Sequence, residues 1–190
     1  MGLLTGPSTG LRDITATNVS AGNQTNIILS GATVNPSLQK LVAACLDEID
    51  QGETLDTFIE QLAHYGRVPT ERNLESKLTE AGCNSKYYDF AIEAKESFAK
   101  FYEVMGRHRS GQAILVTAFK HAYSVFREQI YPRIDEITFD VQASLFDDKV
   151  INFLSDNLIG LPNFDGRMEA LGLLFFLADN CFIEYAKCST

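Results

Sequence analysis

The chain has 190 residues, 45% of them hydrophobic, with 25 acidic against 16 basic side chains and a formal net charge of -9. That length carries one domain with a proper core, or one domain and an extension. The charge disfavours autonomous nucleic-acid binding, which depends on Lys and Arg neutralising phosphates, and adsorption to anionic membranes.

Thirteen Phe and seven Tyr with no Trp point to an aromatic-rich core. Cys45, Cys83, Cys181 and Cys188 form no CxxC pair and no close cluster with His, so no metal is expected, and thiols in a reducing cytoplasm are the simplest reading. No basic stretch followed by an apolar one opens the chain, so secretion by a signal peptide is not expected and the location implied is cytoplasmic.

Residues 1–12 are rich in Gly, Pro, Ser and Thr and read as a leader. Asp13 to Val34 then combine Asn, Thr, Ser, Gly and β-branched residues with a single charge and no helical period. Gly22-Asn23 suits a turn between two short strands. Strands of low charge with Asn and Gln are suited to stacking between chains, where amide ladders add hydrogen bonds. Asn23, Gln24, Asn26, Ile27, Ile28 and Leu29 are therefore the candidate association residues. The composition shifts at Val34/Asn35, which divides the chain into a leader with its β segment (1–34) and a helical domain (35–190).

From Asn35 the period is helical. Asn35 and Pro36 suit the cap and first position of a helix with Leu38, Leu41, Val42, Cys45, Leu46 and Ile49 inward. Gly52 interrupts it, and a second short helix is expected from Thr54 with Leu55, Phe58, Ile59 and Leu62 inward. A third, begun around Pro69-Thr70-Glu71, carries Leu74 and Leu78 and ends at Gly82. Asn84 or Ser85 can cap a long helix to about Met105, and Gly106 to Gly111 turn the chain into a second long one reaching about Tyr131. These two form a helical hairpin. Pro132 ends or kinks the second. Ile137, Phe139, Val141, Ala143 and Leu145 alternate with polar residues, the period of a strand, although an extended connection fits too. Asp147 and Asp148 suit a helix start. Asp165 to Lys187 read as a closing helix, apolar most of the way round and so buried at the centre; its apolar run is too short to cross a membrane. The fold class is mainly α: a bundle of six to seven helices, a short N-terminal β segment, and a further strand at 137–145 if that alternation is real.

No spacing in the chain matches a nucleophile elbow, a zincin helix, a phosphate loop or a dinucleotide fingerprint. Arg107, His108 and Arg109 form the one concentrated basic site and could hold an anion or an acidic partner. His64 ends a helix and His121 borders an apolar stripe. An enzyme assembled from distant residues around His108 and His121 is the alternative to a non-catalytic interaction module, which needs protein partners and no cofactor.

The string Ala170-Leu-Gly-Leu-Leu-Phe-Phe-Leu-Ala-Asp-Asn-Cys-Phe-Ile-Glu-Tyr, with Leu177-Ala178-Asp179 at its centre, resembles the closing helix of the C-terminal helical domains of bacterial ABC-three-component anti-phage defence systems. The Gly/Asn/Thr-rich opening is similar to segments preceding such domains. The resemblance implies a non-catalytic helical module that binds other members of a defence complex, itself or other subunits.

Overall fold

The computed structural model describes residues 34–66 and 72–187. The N-terminal β segment, and with it Asn23, Gln24, Asn26, Ile27, Ile28 and Leu29, lies outside the described residues. Within them the chain forms seven helices and no strand. They are α1 (Pro36–Asp50), α2 (Glu60–Tyr65), α3 (Leu74–Ala81), α4 (Ser85–Gly106) and α5 (Arg109–Val125), then α6 and α7. α5 runs on through a π turn (Phe126–Ile130) and a 3-10 turn (Tyr131–Arg133). α6 is Phe139–Phe146 continued through a π turn (Asp147–Ile151) into Asn152–Leu158. α7 is Arg167–Asp179.

Three helices start on an Asn whose side chain takes the orphan N–H groups of the first turn. Asn35 Oδ1 accepts from the backbone N of Ser37 and Leu38, Asn73 from Ser76, and Asn84 from Tyr87. Gly82 ends α3 at φ 86, a left-handed position where a Cβ would be strained. Pro132 terminates α5: it has no N–H to donate and clashes with the preceding turn, and the helix tightens into the 3-10 turn around it.

α7 is the central element. Its neighbours are α3, α4, α5 and α6, with α4 the most extensive contact, and eight of its thirteen residues are buried. A helix apolar all round belongs in such a place. Around Phe98 of α4, ring pairs reach Phe101, Tyr102, Phe119 of α5 and Phe176 of α7 at centroid distances of 5.5 to 6.2 Å. Phe119 and Phe176 lie almost parallel. These offsets fall in the favourable range for aromatic pairs, beyond the area they remove from water.

Five expectations are corrected. The second helix begins at Glu60, six residues later than expected, and Phe58 and Ile59 are 50% and 40% exposed instead of inward. Phe58 stacks on Tyr102 over the side-chain-free Gly106. The turn between α4 and α5 needs only Arg107 and His108. Residues 139–146 are helical, and their buried positions are Phe139, Gln142 and Phe146, the spacing of a helix, while Val141 is 45% exposed. Asp147 and Asp148 consequently stand in mid-helix, not at a helix start. Finally, the closing helix stops at Asp179. Asn180 caps it, Cys181 takes φ 63, and residues 182–187 run on without regular structure as a strap along α3 and α6.

Candidate functional site

The strap is fixed by polar groups whose partners are far away in sequence. Gln142, fully buried, donates from Nε2 to the Glu184 carbonyl (2.8 Å) and accepts at Oε1 from the Ala186 N–H (2.6 Å). The Phe139 N–H donates to the Lys187 carbonyl at 2.9 Å. On the other side, Lys77 of α3 is 2% exposed, and its Nζ donates to the carbonyls of Ala178 (2.6 Å) and Ile183 (3.0 Å), with Glu184 at 3.4 Å. A buried ammonium is tolerable only when satisfied in this way, and the Ala178 carbonyl lies at the negative end of α7. Asp179 completes the arrangement: Oδ1 accepts from the Leu74 N–H at 2.9 Å and Oδ2 from Lys95 Nζ at 2.8 Å. Burial pushes the Asp179 carboxyl up, but Lys95, the Leu74 N–H and Lys77 outweigh it and hold it below its ordinary value. Arg72 spans Glu80 and Glu184 at the surface. The Leu177-Ala178-Asp179 motif is thus a staple joining α3, α4 and the strap.

What the strap encloses is a concave site. Between α4, α6, α7 and Tyr185 lies a cavity of about 450 Å³. Its aromatic wall is Tyr87 and Phe90 from α4, Phe139 from α6, Phe175 from α7 and Tyr185 from the strap. The rings hold one another: Tyr87 meets Phe139 edge to face at 5.2 Å and Phe175 at 6.1 Å, Phe90 meets Phe175 at 6.2 Å, and Phe139 meets Tyr185 at 5.7 Å. The Tyr185 hydroxyl is buried and finds no hydrogen-bond partner among the described residues, and burial raises its pKa well above the ordinary tyrosine value. At the mouth, Arg167 Nη1 lies 2.5 Å from Asp147 Oδ1. Asp147 is there because the π turn at 147–151 lies along the cavity, which Asp147 and Ile151 both line. Such turns are often found where a helix serves a site. The arrangement provides apolar volume with a single ion pair at its edge, which suits holding an apolar group.

Arg107, His108 and Arg109 lie elsewhere. Arg107 and Arg109 are exposed; His108 between them is buried, and its Nδ1–H donates to the Glu53 carbonyl at 2.7 Å. The start of α5 already holds a carboxylate: Glu48 accepts from the Ser110 N–H with both oxygens and from Ser110 Oγ at 2.6 Å. His121 follows thirteen residues after His108, roughly 20 Å along α5, so the geometry does not bring the two together. Its Nε2–H donates to the Lys149 carbonyl at 2.7 Å and its ring packs on Phe153. His64 packs its ring against Tyr65 and Phe182. Of the cysteines, Cys45 is buried against Met105 and Cys181 is exposed; burial and then Glu48 push the Cys45 thiol up to about 11. Among the described residues no group of His, Cys, Asp and Glu could hold a metal ion, and no helix is long and apolar enough to cross a membrane.

The cavity was not legible in the sequence. Its wall draws on Tyr87, Phe139, Phe175 and Tyr185, which lie in four separate segments, and the alternation at 137–145 disguised Phe139 as a strand residue. The available signal was the surplus of rings with no Trp, which says how the core is built and not where it opens.

No curated protein and no solved structure matches the chain. Residues 73–185 match the sequence model for C-terminal domain 9 of the ABC-three component (ABC-3C) systems. The matched stretch runs from the cap of α3 to Tyr185, takes in the staple and every wall of the cavity, and covers more than half of the chain. The chain belongs to the family of C-terminal domain 9 of the ABC-three component systems.

Proposed function

We propose that the chain is a non-catalytic protein–protein interaction domain of a bacterial defence complex, working in the cytoplasm, and that it self-associates or docks through its N-terminal β segment. The observation that carries this is the family: a C-terminal domain of a system with several components has protein partners to meet. The geometry supports it. The buried charged groups Lys77 and Glu169 are spent on joining elements: Lys77 on α7 and the strap, Glu169 on Ser97 of α4 and the Asp165 N–H. They make a stiff body, which is what a docking platform needs. Asn23, Gln24, Asn26, Ile27, Ile28 and Leu29 would form the association surface. Arg107 and Arg109, on either side of buried His108, would give a secondary contact for an acidic group on a partner.

Light scattering after size exclusion tests this on the full chain and on a version lacking residues 1–34. An oligomeric full chain with a folded, monomeric truncation is the expected result. Two monomers would end the self-association reading.

A further inference from the structure

We propose that the aromatic-walled cavity is a socket for a segment of another protein that presents two large apolar side chains flanked by Lys or Arg. This rests on the interaction reading above and gives it a second, separate surface.

The first observation is the cavity itself. Its volume of about 450 Å³ falls within the roughly 300–1,000 Å³ of sites that hold ligands. Tyr87, Phe90 and Leu171 along it are only half-buried, so apolar surface there faces water. The second observation is the margin. Ala143 and Ser144 line the cavity and are exposed, and Val141, three residues before Ser144 on the same helix face, is 45% exposed. An apolar ledge beside an apolar hole fits a polypeptide that lies on α6 and drops side chains inward. A small molecule would leave the ledge bare.

The third is charge. Outside the described residues the only charged side chains are Arg12, Asp13, Arg67 and Glu71, which cancel, so the whole net charge of -9 belongs to the described body. Such a field gathers basic segments and repels acidic ones. At the mouth, among the described residues, Asp147 pairs with Arg167; the two side chains are 38% and 60% exposed, so an incoming Lys or Arg can compete for that carboxylate.

The test is selection of a random peptide library displayed on phage against the full chain, with the enriched peptides then synthesised and measured by fluorescence polarisation. Expected are sequences with two large apolar residues beside Lys or Arg. Ala143→Trp, which plugs the mouth from an exposed position, should weaken binding at least about tenfold, and raising salt from about 0.05 to about 0.5 M should weaken it further. Ser144→Tyr blocks the same mouth and serves if the first variant does not fold. No enrichment, acidic sequences, or binding that survives both plugs would overturn the socket. Failure here beside an oligomer lost on removing residues 1–34 rejects the socket alone; success here with a monomeric full chain rejects self-association alone.

Discussion

A Cβ placed at Gly172 would lie 2.0 Å from the Ala94 carbonyl oxygen and 2.6 Å from Phe98 Cβ. α4 and α7 make their closest approach because this position has no side chain, and the obstacle on the other side is backbone, which cannot turn away. Gly172→Ala should therefore push the two helices apart and cost about 2 kcal/mol, in the usual range for overpacking. At this chain length that lowers Tm by roughly 4–8 °C, a change that a thermal melt followed by circular dichroism resolves. The glycine's place in an apolar run was visible in the sequence; its contact with Ala94 was not, since nothing in a helical period says which neighbour a helix meets. The same is true of Gln142. A polar residue between apolar ones reads as the outward face of a strand, yet it is fully buried because two backbone groups of the strap satisfy its amide.

At the scale of elements, the starts at Asn35 and Asn84 and the ends at Gly52, Gly82 and Met105 were legible, whereas the starts of α2, α3 and α6 and the end of α7 were not. Asn35, Asn73 and Asn84 act within their own first turn, so the chemistry that marks them is local in the sequence. Asn84→Ala removes the acceptor for the Tyr87 N–H and should cost about 1 kcal/mol, shown as a lower urea midpoint with an unchanged slope. Asn84→Asp should retain most of the stability. By contrast, α7 stops at Asp179 although the apolar spacing runs on through Phe182 and Tyr185. It stops where the Ala178 carbonyl accepts from Lys77 and where Asp179 turns to the N–H that opens α3. α2 starts late for a related reason: the Ile59 N–H is held at 2.7 Å by Gln112 Oε1, which fixes residues 57–59 as an extended link to α5. Each of these boundaries is set by a partner more than fifty residues away.

For the molecule as a whole, the helical class and the family could both be read from the chain, while the concave site could not, since it exists only after four segments meet. Stability against acid is a property at this scale, because Asp179 ties α3, α4 and α7 together. Its folded-state carboxyl lies below the ordinary value of 3.8, so its contribution is fully present above that value and is lost as pH falls through the lower, folded-state one. Urea unfolding at pH 7 should show Asp179→Asn clearly less stable than the parent chain. As pH falls through the lowered folded-state value the two should converge, since protonation does to the parent what the substitution does permanently. Parallel curves over the whole range would assign the acid limb to other carboxylates.

The staple also sets a schedule for synthesis. The Leu74 N–H waits for a carboxylate 105 residues downstream, and Lys77 for carbonyls 101 and 106 residues downstream. At about 5–20 residues per second, a ribosome needs roughly 5–20 s to cover that interval. Over that interval α4, α5 and α6 are made one after another without the helix that fills their centre, and the faces of Phe98 and Phe119 stay open. The nascent body is therefore at its most adhesive just before it is finished, and closes only when the strap leaves the ribosome.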